Sequence, residues 1–368
     1  MKIAIVHDYL NQYGGAERVV ETMHEIFPQV PIYTTIYDMK KMPDSFKEMD
    51  IRTSFMQKLP FIDKHFKKYL MFYPNAIESF DLKDYDLIIS SSSAFAKGAI
   101  KRTGACHICY CYSPMRFVWD YENYVQKEEL NFIFKKSLPL FIKKLKNWDL
   151  RTNTGVDYFV AISKNIKDRI KNAYGIDANY IYPPVDISKF RIFNSLEDYF
   201  LIVSRLNSYK NIDLVIKVFN KLKLKLKIVG TGPYKKKLES LIENKNIKLL
   251  GRVTENELIE LYGKCRAFIF PGSEDFGIAP VEAQASGRPV IAFAAGGALE
   301  TIIEDVSGTF FHDNSIDSLS DSIKSFLKLE GQFNPITIRS NALKFDKEVF
   351  KKEFKNYVLE KYNLLVKS

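Results

Sequence analysis

Short apolar runs alternate along the chain with longer segments whose apolar residues recur at helical spacing. Residues 3–6 form the first run, and residues 16–27 follow with Val19, Val20 and Met23 at the spacing of one helix face. The same order of strand, loop and helix returns several times after residue 199. This alternation predicts parallel sheets with helices on their faces, which is the α/β class.

A pair of prolines interrupts this order near the middle of the chain. The prolines at 183–184 stiffen their segment, and a new strand-first pattern begins after it. We therefore predict two Rossmann-like domains that face a cleft, with residues 1–185 in the first and 186–345 in the second. A last long helix is predicted within 346–368, because apolar side chains follow one stripe there.

One stretch of the second half, residues 265–293, has the clearest local pattern. An apolar run ends at the turn Pro271–Gly272, and a short helix follows with Pro280 in its first turn. Gly287 ends that helix, and a second apolar run begins at Val290. The stretch predicts a βαβ unit whose loop lies at the carboxyl edge of a parallel sheet, where such sheets bind ligands.

Charged residues on two predicted loops give this edge its candidate chemistry. Glu274 lies in the loop after the first strand of the unit, and Glu282 lies on the helix. Backbone N–H groups near Gly277 point outward at the helix start and favour an anionic or oxygen-rich ligand. Arg205 and Lys210 share an earlier strand–helix loop, where two cations suit a diphosphate group.

Polar residues also follow predicted strands in the first half. His7 precedes a loop that ends in Gly14–Gly15, where the absence of side chains lets a phosphate approach the backbone. Tyr112 ends another predicted strand, which begins at Ile108. Arg116, four positions later, is a candidate for an anionic contact or for an ion pair with Asp120.

The charge balance narrows the expected partners. The chain of 368 residues has 54 Lys and Arg against 44 Asp and Glu, a net charge of +10. This excess favours anionic partners such as nucleotide diphosphates or lipid headgroups. The first residues do not have the pattern of a signal peptide, and no apolar stretch has the length of a membrane span. We expect a cytoplasmic protein that is peripheral at the inner face of the cell membrane.

Three of the four cysteines lie close together, at Cys106, Cys109 and Cys111, around His107. A metal site is one interpretation, and a buried strand in which Cys acts as a small hydrophobic residue is the other. No second Cys/His pair lies at zinc spacing, and Cys265 stands alone in another predicted strand. We therefore expect a buried strand and no metal site.

Two stretches of the first half interleave lysines with apolar and aromatic residues. Residues 52–73 and 131–148 carry this pattern, and the second stretch has no acidic residue. Such stretches suit contact with a membrane surface, and their apolar side chains fit a domain core equally well. No nucleic-acid-binding motif accompanies them, so no nucleic-acid partner is expected.

Together these motifs resemble one enzyme family over nearly the whole chain. The run Ser-Glu-Asp-Phe-Gly-Ile-Ala-Pro-Val-Glu, with seven residues between Glu274 and Glu282, is similar to the donor-site signature of retaining GT-B glycosyltransferases of family four. The runs His-Asp…Gly-Gly-Ala-Glu-Arg-Val and Ser-Pro-Met-Arg-Phe-Val-Trp-Asp resemble bacterial O-antigen and surface-polysaccharide mannosyltransferases of that family. The resemblance implies an acceptor-binding first domain, a donor-binding second domain, and a C-terminal helix that returns to the first domain.

The resemblance also implies a role for each candidate residue. Glu274 would contact donor-sugar hydroxyls beside the reacting carbon, and Glu282 would bind the ribose. Arg205 and Lys210 would stabilise the departing diphosphate. Further donor contacts would come from Gly14, Gly15, Arg252, Val253, Phe276, Gly277 and Ile278. The acceptor-side candidates are His7, Tyr112 and Arg116. Relatives often have His at the position of Tyr112, so the role of an imidazole there stays open.

By the same resemblance, the chain is a retaining, metal-independent hexosyltransferase without a cofactor. The favoured donor is GDP-mannose, with UDP-linked sugars as the alternative. The resemblance implies that the acceptor is a lipid-linked or other oligosaccharide in surface-polysaccharide or LPS biosynthesis. Two alternatives remain, a nucleotide-sugar epimerase on the same fold and a non-catalytic nucleotide-binding protein. Product analysis distinguishes them, because an epimerase changes the donor without an acceptor and a binding protein leaves it intact.

Overall fold

A computed structural model describes residues 1–120 and 132–367 of the chain. The chain divides into two compact units. Unit 1 comprises Met1–Pro184 and the chain from Glu348 onward, and unit 2 comprises Val185–Lys347. Each unit is built on one sheet of parallel strands, in agreement with the α/β class that the hydrophobic pattern predicts.

In the described part of unit 1, the sheet has seven strands in the order β3-β2-β1-β4-β5-β6-β7. The strands are β1 Ile3–His7, β2 Ile32–Thr34, β3 Ile51–Thr53, β4 Leu87–Ser92, β5 Cys106–Cys111, β6 Tyr158–Ala161 and β7 Asn179–Tyr180. The helices before unit 2 are α1 Gly15–Ile26, α2 Ile62–His65, α3 Tyr73–Glu78, α4 Arg116–Trp119, α5 Phe132–Thr152 and α6 Lys164–Tyr174.

Within residues 185–347, the sheet of unit 2 has six strands in the order β10-β9-β8-β11-β12-β13. The strands are β8 Phe200–Val203, β9 Leu226–Val229, β10 Ile247–Gly251, β11 Phe268–Phe270, β12 Val290–Phe293 and β13 Gly308–Phe311. The helices are α7 Ile212–Leu222, α8 Lys235–Glu239, α9 Glu255–Lys264, α10 Ile278–Ala285, α11 Ala298–Thr301, α12 Ile316–Leu329 and α13 Pro335–Ala342.

Apolar side chains from strands and helices form a separate core in each unit. In unit 1, Val6 of β1 and Ile88 of β4 pack with Trp148 of α5 in one cluster. In unit 2, Phe200 of β8 and Phe219 of α7 meet edge-to-face with their ring centroids 5.3 Å apart. A parallel strand that is buried on both faces has apolar residues at nearly every position. This explains why β1 and β8 are recognisable in the sequence as continuous apolar runs.

Both sheets reverse their strand order at one point. In unit 1 this point lies between β1 and β4, where His7 is in register with Ser91. In unit 2 it lies between β8 and β11. The loops that leave the carboxyl ends of two such strands run to opposite faces of the sheet, and the crevice between them is where open α/β sheets bind ligands. The topology therefore selects the loops after β1, β4, β8 and β11.

The chain returns to unit 1 through its last helix, α14 (Lys347–Lys367). Phe350, Phe354 and Val358 of this helix are buried. The rings of Phe350 and Phe354 each meet the ring of Tyr110 edge-to-face, with centroids 5.7 Å apart. Aromatic packing of this kind fixes the helix against β5. The predicted return of the C-terminal helix to the first domain is confirmed.

The predicted elements agree with the structure in most places and differ mainly at their ends. The hydrophobic spacing predicts a helix over residues 212–222 and strands over 226–229 and 290–293, and α7, β9 and β12 have these bounds. It also predicts a strand over 265–270 and a helix over 298–304, whereas β11 begins only at Phe268 and α11 already ends at Thr301. The sequence pattern does not predict the edge strand β3, because Arg52 and Thr53 are exposed and break the apolar alternation. No helix in the described ranges combines the length and apolar composition that a membrane crossing needs.

Candidate functional site

An ion pair between two loops lies at the centre of the site in unit 2. Lys210 follows β8 at the end of a short 3-10 turn, and Glu274 lies in the loop after β11. The Lys210 ammonium pairs with Glu274 Oε1. Both side chains remain partly accessible to solvent, with 13% of the Lys210 side chain and 29% of the Glu274 side chain exposed. The structure thus brings together two predicted site residues that are 64 positions apart.

The backbones of these two loops are packed against each other. Asn211 Nδ2 donates to Pro271 O at 3.3 Å. A Cβ on Gly272 would lie 3.3 Å from Lys210 Cα, so the loops approach closely at this glycine. Lys210 and Glu274 themselves line a small cavity between the two loops. The apolar part of its lining comes from the ends of the two strands and the start of the next helix: Ile202, Val203, Ile212, Ile269 and Phe270.

Two glycines after β12 support the Glu274 loop from the neighbouring side. The Gly297 N–H donates to Glu274 O at 2.8 Å. Gly296 has a φ of +60°, and a Cβ on Gly296 or Gly297 would collide with the backbone of Glu274 or Phe276. Only glycine fits such an approach. In the sequence this pair is visible as a turn before a helix, and nothing local links it to Glu274.

The helix after the Glu274 loop presents its first turn to the same sheet edge. Gly277 is the N-cap residue of α10, with a φ of +88°, and Ile278 begins the helix. Phe276 is buried and its ring meets Phe345 edge-to-face at 5.3 Å. The first N–H groups of a helix have no acceptor within the helix and suit oxygen-rich or anionic ligands. This placement suits the predicted donor contacts of residues 276–278.

Glu282, on the same helix, is held by a residue that the sequence analysis did not single out. Its side chain is buried, and Oε2 accepts a hydrogen bond from Tyr262 Oη at 2.8 Å. Tyr262 lies on α9 and is itself fully buried. In the sequence it is simply an apolar helix position, and no local signal connects it with a carboxylate 20 positions later. The ribose contact of Glu282 stays a prediction.

The other donor-side candidates of unit 2 lie along the same edge of the sheet. Arg205 lies two positions after the end of β8 and is exposed. Arg252 and Val253 follow β10, which is separated from β8 by β9. Arg205 therefore shares the loop of Lys210, whereas Arg252 and Val253 lie two strands away from it.

In unit 1, the candidate residues His7 and Tyr112 are joined through a serine. His7 Nδ1 lies 3.0 Å from Ser91 O and 3.1 Å from Ser91 Oγ. Ser91 Oγ lies 2.7 Å from Tyr112 Oη, which donates to Ala16 O at 3.0 Å. Burial raises the pKa of Tyr112 well above its ordinary value, so its hydroxyl stays protonated at neutral pH. Ser91 lies in a serine run that the sequence identifies only as a polar strand end.

The predicted glycine turn and Arg116 lie at helix starts in unit 1. Gly14 is the N-cap residue of α1, and its N–H donates to Glu17 Oε2 at 2.8 Å. Glu17 is buried, so this capping bond fixes the turn. Gly15 begins α1, and the half-buried Arg116 begins α4. These residues belong to unit 1, and the ion pair of Lys210 belongs to unit 2.

Asp8 is a further residue of unit 1 that the sequence analysis did not single out. Its buried carboxylate accepts four bonds from the backbone N–H groups of residues 93–96 and one from the Ser93 hydroxyl, at 2.6 to 3.0 Å. Hydrogen bonds to a carboxylate are stronger than those between neutral groups. Asp8 therefore fixes the loop after β1 against the end of β4, at the point where the strand order reverses.

The cysteine cluster lies in β5, and the buried-strand interpretation is confirmed. All three cysteines of the cluster are buried: Cys106, Cys109 and Cys111. Between them, His107 Nε2 lies 2.8 Å from Ser90 Oγ, and His107 Nδ1 lies 3.3 Å from Gly155 O. Burial lowers the pKa of His107 to about 4, so the ring is neutral at pH 7.

The stretch 52–73 contributes both to the core and to the surface of unit 1. Met56 and Ile62 are buried in the core cluster, whereas Phe61 is 72% exposed. Neither of the two interpretations of this stretch therefore accounts for all of its apolar residues.

The stretch 131–148 divides in the same way over the part that is described. Leu145 and Trp148 are buried in the core, and Leu140 is 74% exposed. The side chains of residues 131–138 lie outside the described part of the chain.

Two protein families match consecutive parts of this chain. The family described as Glycosyltransferase Family 4 matches residues 13–189, and the family described as Glycosyl transferases group 1 matches residues 186–342. The second match contains the Lys210–Glu274 pair and Glu282. The two matches together extend over both units.

Individual relatives support this assignment. The chain is 29% identical over 224 residues to the O-antigen chain mannosyltransferase RfbU of Salmonella typhimurium, and this match covers 56% of the chain and 59% of the relative. It is 28% identical over 208 residues to the GDP-mannose-dependent monoacylated alpha-(1-6)-phosphatidylinositol monomannoside mannosyltransferase of Corynebacterium glutamicum, covering 48% and 54%. The chain thus spans between half and three fifths of these relatives' length.

A solved structure has the same two-domain fold over 98% of the chain. HepE of Anabaena, crystallised in complex with UDP, superposes with a TM-score of 0.73 at 17% identity, and the match covers 98% of this chain and 100% of HepE. With one parallel sheet in each unit and two consecutive family matches that together extend over residues 13–342, the chain belongs to the family-four glycosyltransferases and has the GT-B fold.

Proposed function

We propose that the protein is a retaining glycosyltransferase that moves a hexose, in our proposal mannose, from a nucleotide-diphosphate sugar to a lipid-linked or oligosaccharide acceptor in surface-polysaccharide biosynthesis. The observation that carries the proposal is the Lys210–Glu274 pair at the strand-order reversal of unit 2. A sugar diphosphate needs a cation for its phosphates and an acceptor for its sugar hydroxyls. The pair supplies both at the edge where such sheets bind ligands.

The cations of the β8 loop stabilise the leaving group. When the glycosidic bond breaks, the nucleoside diphosphate gains negative charge, and Lys210 with Arg205 on the same loop balances it. Lys210 is largely covered, so its charge acts in a site with little water and is weakly screened. Because these cations do the work of a metal ion, we propose that no divalent metal or other cofactor is needed. Turnover in the presence of EDTA should therefore be unchanged.

Glu274 orients the donor sugar. A carboxylate only accepts hydrogen bonds, so the oxygen that does not face Lys210 is suited to sugar hydroxyls. We propose that the acceptor hydroxyl attacks from the face of the leaving diphosphate, which takes the proton, so that the anomeric configuration is retained.

The names of the relatives support GDP-mannose as the donor and a lipid-linked molecule as the acceptor. RfbU is a mannosyltransferase, and the Corynebacterium enzyme is GDP-mannose-dependent, so we propose GDP-mannose as the donor. HepE was crystallised with UDP, but at 17% identity that likeness concerns the fold. One relative's name refers to an O-antigen chain and the other's to a phosphatidylinositol mannoside, which supports a lipid-linked acceptor.

The proposal is tested by donor binding and transfer with the full chain. A ligand that binds the native state raises the unfolding temperature, and we expect this shift with GDP-mannose and GDP but not with UDP-glucose. Lys210→Ala and Glu274→Ala should each lower kcat for mannosyl transfer about 100-fold, the usual effect of removing one electrostatic contact in a transition state. Lys217→Ala, on the exposed side of α7, is the control that keeps wild-type turnover.

Three results would contradict the proposal in different ways. Unchanged turnover in both site variants would show that the site is placed wrongly. Conversion of the donor into another nucleotide sugar without an acceptor would identify an epimerase. Binding without any conversion, with every acceptor lipid tested, would identify a nucleotide-binding protein.

We further propose that unit 1 contacts the surface of a membrane rich in anionic lipid through residues 55–72. Phe61 is 72% exposed and has a φ of +51°, a conformation that bulky residues rarely adopt. Such strain persists only where the surroundings enforce it, and it concentrates at functional segments. Phe55 and Phe72 of the same segment are also exposed. Three exposed aromatic rings on one short segment suit insertion between lipid headgroups.

Charge complementarity supports a negatively charged lipid surface as the partner. Lys58, Lys64 and Lys68 are exposed, and no ion pair is found for them among the described residues. The exposed Leu140 lies on α5, and α5 packs on the same core cluster as residues 56–71. Aromatic rings surrounded by lysines match a negatively charged lipid surface better than a neutral one.

Co-sedimentation with vesicles tests the membrane contact. We expect binding to vesicles of phosphatidylglycerol and phosphatidylcholine, weaker binding at high salt, and little binding to phosphatidylcholine alone. Phe61→Ser should weaken binding severalfold, whereas Ile336→Ser, which changes a residue of unit 2 with 71% exposure, should not. Equal binding of both variants would refute this contact and leave the proposed reaction untouched.

A further inference from the structure

Lysine alternates with an apolar residue from the end of α7 into β9. Residues 221–228 have the sequence Lys-Leu-Lys-Leu-Lys-Leu-Lys-Ile. The longer segment 221–250 contains nine lysines, two glutamates and no arginine, which gives it a net charge of +7, whereas the whole chain has +10. Most of the excess positive charge of the protein is therefore concentrated in this segment, and neither the donor site nor the contact proposed for unit 1 uses it.

The fold separates the two kinds of residue onto opposite sides of the sheet. Successive side chains of a strand point to opposite faces. Leu226 and Ile228 of β9 are fully buried in the core cluster of unit 2. Lys227, and Lys225 just before the strand, therefore lie on the other side. Lys227 is in register with the exposed Lys248 of β10, which is the edge strand of the sheet within residues 185–347.

The turn before β10 adds lysines at the amino edge of the same sheet. Asn246 Nδ2 donates to Leu224 O at 2.5 Å and to Phe219 O at 3.1 Å, which ties this turn to the end of α7. Lys223 is the C-cap residue of α7, Lys245 lies two positions before β10, and both are exposed. Lys223 has a φ of +56°, a conformation that glycine adopts without strain, and the chain has a lysine there. We call the following residues the basic surface: Lys223, Lys225, Lys227, Lys245 and Lys248.

The basic surface keeps most of its positive charge. Among the residues that the structure describes, no ion pair is found for three of its members: Lys223, Lys245 and Lys248. Lys225 pairs with Asp198, and Lys227 with Glu197, each at 3.2 Å. Both acids are more than half exposed, and each is shared with a second cation outside the basic surface. Exposed pairs of this kind contribute little to stability, so an anionic partner can replace them readily.

We propose that the basic surface of unit 2 docks on the surface of a membrane that contains anionic lipid. Clusters of about four to eight basic residues are typical of segments that bind anionic headgroups. Lysine is a flexible point charge that suits headgroup phosphates at varying positions, whereas bidentate binding of one fixed phosphate favours arginine. This contact is separate from the one proposed for residues 55–72 of unit 1, and it does not depend on the proposed reaction.

Nucleic acid is the other polyanion that a lysine cluster attracts, and the side chains here favour lipid. Single strands bind to exposed aromatic rings on which their bases stack. Tyr234 is the one aromatic residue between positions 221 and 250, and it is half-buried. The Tyr199 ring, whose centroid lies 3.6 Å from Lys227 Nζ, is buried. Leu250 follows Lys248 on the same side of β10 and is 37% exposed, which suits contact with lipid.

The basic surface lies away from the donor site of the same unit. Lys223 and Lys245 precede their strands and so mark the amino edge of a parallel sheet. The Lys210–Glu274 pair follows β8 and β11 at the carboxyl edge, which is opposite. A membrane on the basic surface therefore approaches unit 2 from the side away from this pair, and we expect GDP to bind equally to the free and the vesicle-bound protein.

Two triple variants of the full chain test the contact by co-sedimentation with vesicles of phosphatidylglycerol and phosphatidylcholine. Both are made in the Phe61→Ser background, which weakens the contact proposed for unit 1. The first removes three charges of the basic surface: Lys223→Gln, Lys245→Gln and Lys248→Gln. It should bind about 100-fold more weakly, since each lysine near an anionic surface contributes roughly fivefold. The matched control removes three exposed lysines of α7 and α12 and should bind within about threefold of its parent: Lys217→Gln, Lys324→Gln and Lys328→Gln.

A fluorescent label locates the contact without changing any lysine. The four cysteines of the chain are buried, so a maleimide dye reacts selectively with one introduced on the surface. Leu250→Cys carries the dye beside Lys248, and Ile336→Cys carries it on α13, where the native residue is 71% exposed. With an environment-sensitive dye, we expect the same vesicles to shift the emission to shorter wavelength at position 250 and not at 336, and high salt to reverse the shift.

Equal loss of vesicle binding in the two triple variants would mean that net charge and not this surface binds the lipid, and would overturn the proposal. An unchanged emission at position 250, or the same shift at 336, would overturn it too. Binding of a short single-stranded DNA that the first variant loses, without binding to vesicles, would identify a nucleic-acid surface instead. Should the first variant fail to fold, the label at position 250 decides. Absence of mannosyl transfer, alongside the expected vesicle binding, would refute the proposed reaction and leave this contact standing.

Discussion

Lys97 is a buried ammonium group on which several elements of unit 1 converge. Its Nζ donates to Thr152 Oγ1 and Asn153 Oδ1, each at 2.8 Å, and to Asp149 O. The Asp149 carboxylate, 3.1 Å away, is fully buried, and 2% of Lys97 is exposed. The three ammonium protons of Lys97 already have acceptors. Asp149 Oδ1 therefore interacts with the charge of Lys97 electrostatically and accepts no hydrogen bond from it. Asp149 Oδ2 accepts from the Trp119 indole N–H at 2.7 Å.

Replacing Lys97 with methionine should therefore destabilise unit 1 strongly. The change leaves the Asp149 carboxylate buried without a cation, which typically costs about 3–5 kcal/mol in the free energy of unfolding. The control is Lys171→Met, whose partner Asp177 is 82% exposed, and its midpoint should equal that of the wild type. Urea titrations of the two variants make the comparison. Equal urea midpoints for the two variants would show that the buried Lys97–Asp149 pair makes no net contribution to the free energy of unfolding.

At the scale of elements, the Gly296–Gly297 turn decides where the Glu274 loop lies. Gly297→Ala should lower both stability and donor binding, because the added methyl group collides with the backbone of Phe276 and pushes the loop away from Lys210. The control is Gly331→Ala, where nothing lies within 4 Å of the added Cβ. Thermal shifts with and without GDP-mannose measure both effects. Wild-type behaviour of Gly297→Ala would mean that the loop is not held from this side.

The sequence predicts helices and strands well where apolar residues recur at a regular spacing. It predicts poorly the contacts between segments that are distant in the chain. α7 and β9 are bounded correctly because their apolar residues follow helix or strand spacing without a break. The Lys210–Glu274 pair depends on the neighbouring positions of β8 and β11, two strands that are not consecutive in the chain, so the sequence pattern predicts both residues at the sheet edge but not their contact. The support of Glu282 by Tyr262 and the hydrogen bonds to Asp8 depend on tertiary packing, and the residues involved have no common local pattern.

At the scale of the whole molecule, the two tryptophans report on one unit. The chain has 2 Trp residues, Trp119 and Trp148, and both belong to unit 1. Phe354→Ala should lower the unfolding midpoint seen by their fluorescence, because removing a buried ring costs about 3–5 kcal/mol. Phe326→Ala, in the core of unit 2, should change this signal less. Equal effects of the two variants would show that the units unfold as one cooperative system.

The placement of α14 in unit 1 also sets the order of events during synthesis on the ribosome. Unit 2 is one continuous piece, and all of its strands are translated before α14. Phe350 and Phe354 can pack against Tyr110 of β5 only after α14 has been translated. Until then, the nascent unit 1 exposes the apolar surface around Tyr110. Nascent chains with such surfaces are prone to aggregate and depend on chaperones. Of the two units, the one whose translation begins earlier is thus the one completed later.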